Sequence, residues 1–293
     1  MMTNADKAVV NKVMVNIKTT PSPQLRETFA KALTNNPLAT SALALGQLSE
    51  TPSTAFFFAY QLAVRHLDTT LTDQQFAAFA ASEPGIRDSR EFQTRVVSNA
   101  SSTGESFLVT GRKSHVMLMD HGLLDFLYVL ANDADQQLKC VKVSTSAVGV
   151  MAQPAAKPQP FVADVPHAPV VFDDALAVTD FIVADAHRRC FKPFRYWEDV
   201  MIMLAFSGWM MTHANGDCSA LQIQAQHLSD CYQQHPDYYP LMAFDILDNL
   251  LHHLQQAGKQ LPSGQQALWS RDSQLLQLGS VARTATRKKL QSL

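Results

Sequence analysis

Few side chains in this sequence sit at spacings that chemistry could use, and most of those have a plain structural alternative. His187-x-x-Cys190 and His227-x-x-x-Cys231 each put two zinc-type ligands near one helical turn. The two pairs are far apart in the chain and His252-His253 reads as surface, so no metal site is expected. Arg271-Asp272 reads as a surface ion pair or helix cap. Glu198 and Asp199 close the run Lys192 to Asp199, which reads as a helix start with acids near the positive pole. Ser82, two residues before Pro84, can cap a turn or offer a hydroxyl to a ligand. There is no P-loop, no Rossmann glycine fingerprint and no Gly-x-Ser-x-Gly elbow. Met201, Met203, Met210 and Met211 beside Trp209 read as core or interface filling.

The elements that must position these residues fall into three blocks. Residues 1–75 read as a small helical cluster, with a weak helical pattern at Val9, Val10, Val13, Met14 and Ile17. A helix then opens at Ser22-Pro23 with a Leu25, Phe29, Leu33 stripe, and another spans Ser53 to Leu67. Residues 76–175 carry short apolar runs broken by Pro84-Gly85, Asn99 to Gly104, Gly111 and Asp133 to Gln136. That rhythm predicts a middle antiparallel β module. Its clearest strands are Phe107 to Val109, Asp125 to Ala131 and the alternating, half-buried Lys139 to Val143. A proline-marked connection (Pro154, Pro158, Pro160, Pro166, Pro169) leads to a last strand at Val170 to Phe172, and Asp173-Asp174 begins the return to helices. Residues 176–293 predict a C-terminal four-helix bundle, with amphipathic stretches at Phe194 to Thr212, Asp217 to His235, Leu247 to Leu254 and Leu268 to Ala285. The fold class is therefore α+β.

Composition narrows the function classes. A net charge of -2 offers no broad attraction to nucleic acid or anionic membrane, and no apolar run reaches the roughly 20 residues that span a bilayer. The first residues lack a signal-peptide layout, and Cys140, Cys190, Cys218 and Cys231 include no C-x-x-C pair. A cytoplasmic protein with reduced thiols is expected.

Helical cluster, β module and helical bundle, in that order, resemble the acyl-CoA dehydrogenase superfamily of flavoproteins. Ser82-Glu83-Pro84-Gly85 is similar to its Thr/Ser-Glu-Pro turn, and Gly111-Arg112-Lys113 to its Gly-x-Lys signature. Asp125 followed by Phe126 to Ala131 resembles its Asp-led strand, and Val148-Gly149-Val150 its Pro-Gly-Val turn. Phe172-Asp173-Asp174-Ala175 resembles the exit to the helices. The resemblance implies FAD between the β module and the bundle. It puts Phe79, Ala81 and Ser82 on one flavin-facing strand and His115 and Met117 on the other, with Ser82 able to hydrogen-bond the ring edge. It also implies FAD-linked oxidation of an acyl-thioester or related small substrate, as in fatty acid metabolism, by a homodimer or homotetramer. Trp209, Met210 and Met211 are the expected contact surface.

Several positions depart from the family pattern. Arg87-Asp88-Ser89 stands where Gly-Ser-Asp helps hold the acyl-CoA, which leaves Asp88 as the expected substrate contact. Met117 replaces a hydroxyl residue against the flavin, and neither the Arg/Gln pyrophosphate motif nor the late Gly-Gly pair is recognisable. Proton removal beside a thioester carbonyl needs a carboxylate. Ser270 falls where that Glu is usual, Asp272 is the nearest acid, and Glu198 matches family members that carry the base on an earlier helix. The sequence thus carries two readings: a flavoenzyme with weak or absent acyl-CoA oxidation, and a catalytically degenerate scaffold for binding or assembly.

Overall fold

The computed structural model describes residues 13–292, apart from 102–103, 120–121 and 156. Val9 and Val10 of the expected first helix therefore lie outside the described residues. Val13, Met14 and Ile17 are not helical. Instead Val15 bridges Ser49 in parallel: Val15 N donates to Leu48 O at 2.8 Å and Glu50 N to Val15 O at 2.9 Å. Helix α1 (Ser22–Leu33) starts after Pro21 with Pro23 in its first turn and buries Leu25, Phe29 and Ala32. Helix α2 (Leu38–Leu48) is not anticipated above. Its buried residues, Ala39, Ser41, Ala42, Leu45 and Gly46, are mostly small and draw no clear stripe. Helix α3 (Pro52–Val64) is capped by Thr51, whose Oγ1 accepts from Thr54 N at 3.1 Å, and every one of its residues is buried.

The middle module departs from the expected antiparallel sheet. Its strands are β1 (Ala77–Ala80), β2 (Arg95–Ser101), β3 (Gly104–Met117), β4 (Phe126–Asn132), β5 (Leu138–Ser144), β6 (Val150–Ala152) and β7 (His167–Val183). The path β4-β2-β3-β7-β5 returns to β4 through the β4–β5 pairing, so the module is a closed barrel. Two contacts are parallel: β1 along β4, with Ala77 opposite Phe126, and β2 to β4 at Arg95 and Asn132. Closure removes the exposed edges that a five- or six-strand open sheet would leave. Strand β7 also runs past the expected helical return at Asp173-Asp174. Asp174 takes a left-handed φ of 49° and the strand continues to Val183. Strand β5 is more buried than its alternation implies, because Lys142 Nζ reaches Asp68 Oδ2 at 2.8 Å inside the molecule.

A single turn of π-helix, His187–Phe191, leads into α4 (Lys192–His213), followed by α5 (Ser219–Gln234) and α6 (Leu241–Gly258). These three match the expected helices closely. The expected last helix is three pieces: α7 (Ser263–Asp272), α8 (Leu275–Leu278) and α9 (Ser280–Gln291). Helix α4 packs against α2 and α3 as well as against α5 and α6. Trp209 and Met210 face that interior, with Trp209 stacked on Trp269 at 5.9 Å between centroids. They offer no outer surface for assembly, contrary to expectation. No described helix is long and apolar enough to cross a membrane.

Candidate functional site

The site forms where the barrel meets α4. Residues Phe191, Phe194, Arg195 and Glu198 repeat at helical spacing and so share one face. That face, with Lys192, forms one wall of a cavity of about 800 Å³. The opposite wall comes from the barrel, through Phe79, Ala81, Ser82 and His115. Tyr60 of α3 and His167 add to the lining, and Thr286, Lys289 and Leu290 of α9 complete it.

The barrel wall is held by a buried ion pair. Lys113 Nζ donates to Glu83 Oε1 at 2.8 Å, with both side chains shut off from solvent, and lies 4.2 Å from the centre of the Phe92 ring. Glu83 also accepts from the backbone N–H of Gln93 at 2.7 Å and of Thr94 at 3.1 Å. Burial opposes the Glu83 charge, but the hydrogen bonds from Lys113, Thr94 and Gln93 outweigh it and hold this carboxyl below its usual range. Burial pulls Lys113 down to about 8. The Ser-Glu-Pro turn is thereby fixed to β3, where Ser114 N donates to Ser82 O at 2.9 Å and Ser114 Oγ to Ser82 Oγ at 3.2 Å. Ser82 is left exposed at the cavity wall.

The helical wall is aromatic with one acid. Phe194 packs on Phe79 at 4.6 Å and on Tyr60 at 5.5 Å. Phe79 N donates to Tyr60 Oη at 3.0 Å. Beside them, Glu198 has no hydrogen bond or ion pair to any described residue. Burial, then the neighbouring Asp199 charge, push its carboxyl up to about 7, with Arg195 opposing. Asp199 itself is fully engaged. It accepts from Tyr239 Oη and from Arg283 Nη1, the latter at 2.9 Å, which ties α4 to α9. Burial drives the His167 imidazole down to about 4, so it is neutral at pH 7. Arg87, Lys192, Arg195 and Lys289 ring the opening and form no salt bridge with a described acid. Their guanidinium and ammonium groups suit an anionic ligand part such as a diphosphate.

The sequence-derived residues divide accordingly. Phe79, Ala81, Ser82 and His115 come together on one wall. Met117 is buried opposite His167 in the β3–β7 register and does not border the cavity. Asp88 lies in an adjoining cavity of about 790 Å³, held by a double contact to Arg90 Nε at 3.0 Å and capping the short turn Ser89–Glu91. Asp272 is remote from both lining sets and fully buried. Its Oδ2 accepts from Ser53 Oγ at 2.7 Å and Arg271 Nη2 at 2.8 Å, and its Oδ1 from Val162 N at 2.8 Å. A carboxylate with every lone pair engaged is a fastener between helices and linker. Among the described residues no group of His, Cys, Asp and Glu could hold a metal ion.

Comparison of the whole chain with solved structures identifies the architecture. FkbI, for biosynthesis of the methoxymalonyl extender unit of Fk520, superposes with a TM-score of 0.65 at 15% identity over 94% of each chain. Butyryl-CoA dehydrogenase from Megasphaera elsdenii gives 0.63 at 11% identity, over 87% of this chain and 84% of that one. The FAD complex of PigA gives 0.60 at 15% identity, over 96% and 92%. The chain has the acyl-CoA dehydrogenase fold. No family model matches the sequence, and no curated protein does either. Within the acyl-CoA dehydrogenase fold this chain is thus divergent, and its Ser-Glu-Pro turn, Gly-x-Lys strand and helix α4 are the parts that meet at the cavity.

Proposed function

We propose that the protein is an FAD-dependent oxidoreductase that oxidises an acyl-thioester, with Glu198 as the base. The observation that carries this reading is the unpartnered Glu198 carboxyl, lining a cavity whose facing wall holds Ser82 and His115. The lining suits FAD: a flat apolar wall at Phe79 and Ala81, a hydroxyl at Ser82 for a ring-edge hydrogen bond, and unpaired cations at the opening for a diphosphate. FAD, when bound, supplies the hydride acceptor.

This chain's own residues do the rest. Glu198 takes the proton beside the thioester carbonyl, which requires the ionised form. Because burial and Asp199 raise it to about 7, it is half ionised near neutral pH and basic enough to act. The aromatic side chains Phe194, Tyr60 and Phe79 make the wall beside the acid apolar, and Arg283 and Tyr239 keep Asp199 pinned so that the raised state of Glu198 persists. Asp272, the nearest acid to the usual site of the base, serves a structural bond in this reading. The scaffold alternative is not favoured, since a scaffold has no use for a half-buried, unpartnered acid whose raised carboxyl costs folding free energy.

The test is anaerobic mixing of FAD-loaded protein with a series of acyl-CoA and acyl-pantetheine thioesters, following bleaching of the flavin absorbance. Bleaching is expected with at least one of them, and Glu198→Gln is expected to slow it about 100- to 10,000-fold, the usual worth of a positioned base. Tight FAD binding without bleaching by any thioester sinks the oxidation reading and leaves the scaffold.

A further inference from the structure

Two thiols that the chemistry above does not use meet where the barrel joins α4. Cys140 sits in β5 opposite Val183, the last residue of β7. Two residues on, Asp185 takes a left-handed φ of 50°, and its carbonyl accepts from Arg188 N and Arg189 N at 3.1 Å each. This bend folds the π-helical turn His187–Phe191 back against β5. Cys190 is thereby laid on Cys140, close enough for the two side chains to share a hydrogen bond. Both thiols are free, and the residues are 0% and 2% exposed for Cys140 and Cys190 respectively.

The two sulfurs are not equivalent. The hydrogen bond from Cys140, and then the charge of Arg189, hold the Cys190 thiol below its ordinary value against the effect of burial. The same contact and burial push the Cys140 thiol well up. The thiolate is the nucleophilic form, so Cys190 is the sulfur that attacks and Cys140 the one that resolves. Burial also selects the oxidant, because only a small molecule can reach the pair. His187 and Phe191, on either side of Cys190, line the adjoining cavity of about 790 Å³, which gives such a molecule its approach to the turn.

We propose that Cys140 and Cys190 form a modification site, at which hydrogen peroxide closes a disulfide between the barrel and the turn that leads into α4. The Cys190 thiolate attacks one peroxide oxygen: an S–O bond forms, the O–O bond breaks, and the departing hydroxide takes up the proton that Cys190 released and leaves as water. The Cys140 thiol then attacks the Cys190 sulfur. An S–S bond forms, the S–O bond breaks, and the Cys140 proton leaves with the hydroxide as a second water. The two sulfurs together lose two electrons and the peroxide gains them. The bridge pins the π turn to β5, and with it Phe191 and Lys192 of the Glu198 cavity. No flavin takes part, so this site stands or falls apart from the oxidation chemistry proposed above.

The experiment treats the folded full chain with hydrogen peroxide, blocks the remaining thiols in denaturant and maps disulfides by mass spectrometry. Trypsin cuts after Lys139, Lys142, Arg189 and Arg195, while the Lys192-Pro193 bond resists it, so the bridge joins Cys140–Lys142 to Cys190–Arg195. This linked pair is expected to appear before the partly exposed Cys218 is modified, and to vanish on reduction with dithiothreitol. Cys140→Ser is expected to lose the link and to leave a sulfenic acid on Cys190 that dimedone traps, whereas Cys190→Ser leaves Cys140 a thiol. The linked wild type is expected to melt at a higher temperature than the reduced protein, since the bridge closes a long loop in the unfolded chain. Absence of the linked pair from the folded protein overturns the proposal, as does its appearance only after Cys218 has reacted or a lower melting temperature on linking. A sulfenic acid on Cys140 in Cys190→Ser overturns the roles given to the two sulfurs. The wild-type map decides even where a serine variant fails to fold.

Discussion

Glu198 is the residue on which the chemistry turns, and its titration gives two signed predictions. Its carboxyl is raised from 4.5 to about 7, so the rate of flavin bleaching by substrate should climb with pH through a midpoint near 7. Asp199→Asn removes the adjacent negative charge and should move that midpoint to lower pH; a midpoint that stays put means the rise reports another group. The same shift has a cost in stability. A carboxyl raised in the folded state contributes stability that is fully present below about 4.5 and lost as pH rises through about 7. At pH 8, Glu198→Gln should therefore be more stable than the wild type, by at most about 3 kcal/mol and less where cavity water screens the charge. Urea unfolding at pH 8 and at pH 4 checks the sign, with the gain expected only at pH 8. In the sequence, Glu198 was visible as an option but looked like a helix-start acid. The signal that separates the two is the spacing Phe191, Phe194, Arg195, Glu198, which puts it on an aromatic face.

At the scale of elements, the site depends on how closely α4 approaches α2. A Cβ on Gly46 would sit 1.9 Å from Ala205 O, and one on Gly208 would sit 2.1 Å from Leu43 O. Both contacts are with backbone, so neither neighbour can swing aside. Gly208→Ala should force the helices apart and destabilise the fold by about 1–3 kcal/mol or more, read as a lower melting temperature. It should also weaken FAD binding, since α4 is one wall of the cavity; full stability would show that the helices cross less tightly. The elements differ in how legible they were. Helices α5 and α6 carry one apolar face each, and α4 is a long, largely apolar run buried all round from Val200 to Met210, so all three stood out. Helix α2 is built of small residues and α3 is buried on all sides, so burial had no stripe to draw. The barrel's strands were partly readable, but its closure was not. The ring is closed by the parallel contact of β2 with β4 at Arg95 and Asn132, which joins residues far apart in sequence, and no local pattern records it.

Over the whole molecule, the parts are joined by buried polar fasteners that sequence adjacency disguises. Asp272 follows Arg271 and reads as a surface pair, yet its carboxylate points inward to Ser53 on α3 and Val162 in the linker between β6 and β7. Arg271 adds a bond to Ser53 Oγ at 3.1 Å and a contact to Asp164 at 3.5 Å, so helix, linker and N-terminal cluster meet at one point. This arrangement separates a fastener from a base by experiment. Asp272→Ala leaves the hydroxyl of Ser53, the N–H of Val162 and the Arg271 charge without their shared acceptor, and it should destabilise the protein by about 3–5 kcal/mol, as does removing one partner of a buried pair. Asp272→Asn keeps one oxygen and the shape, and should lose less. Where either variant remains folded and is saturated with FAD, its bleaching rate should stay within a few-fold of the wild type, because the carboxylate touches no wall of the cavity. A folded, FAD-loaded Asp272→Asn that has lost bleaching by 100-fold or more would instead return the role of base to Asp272.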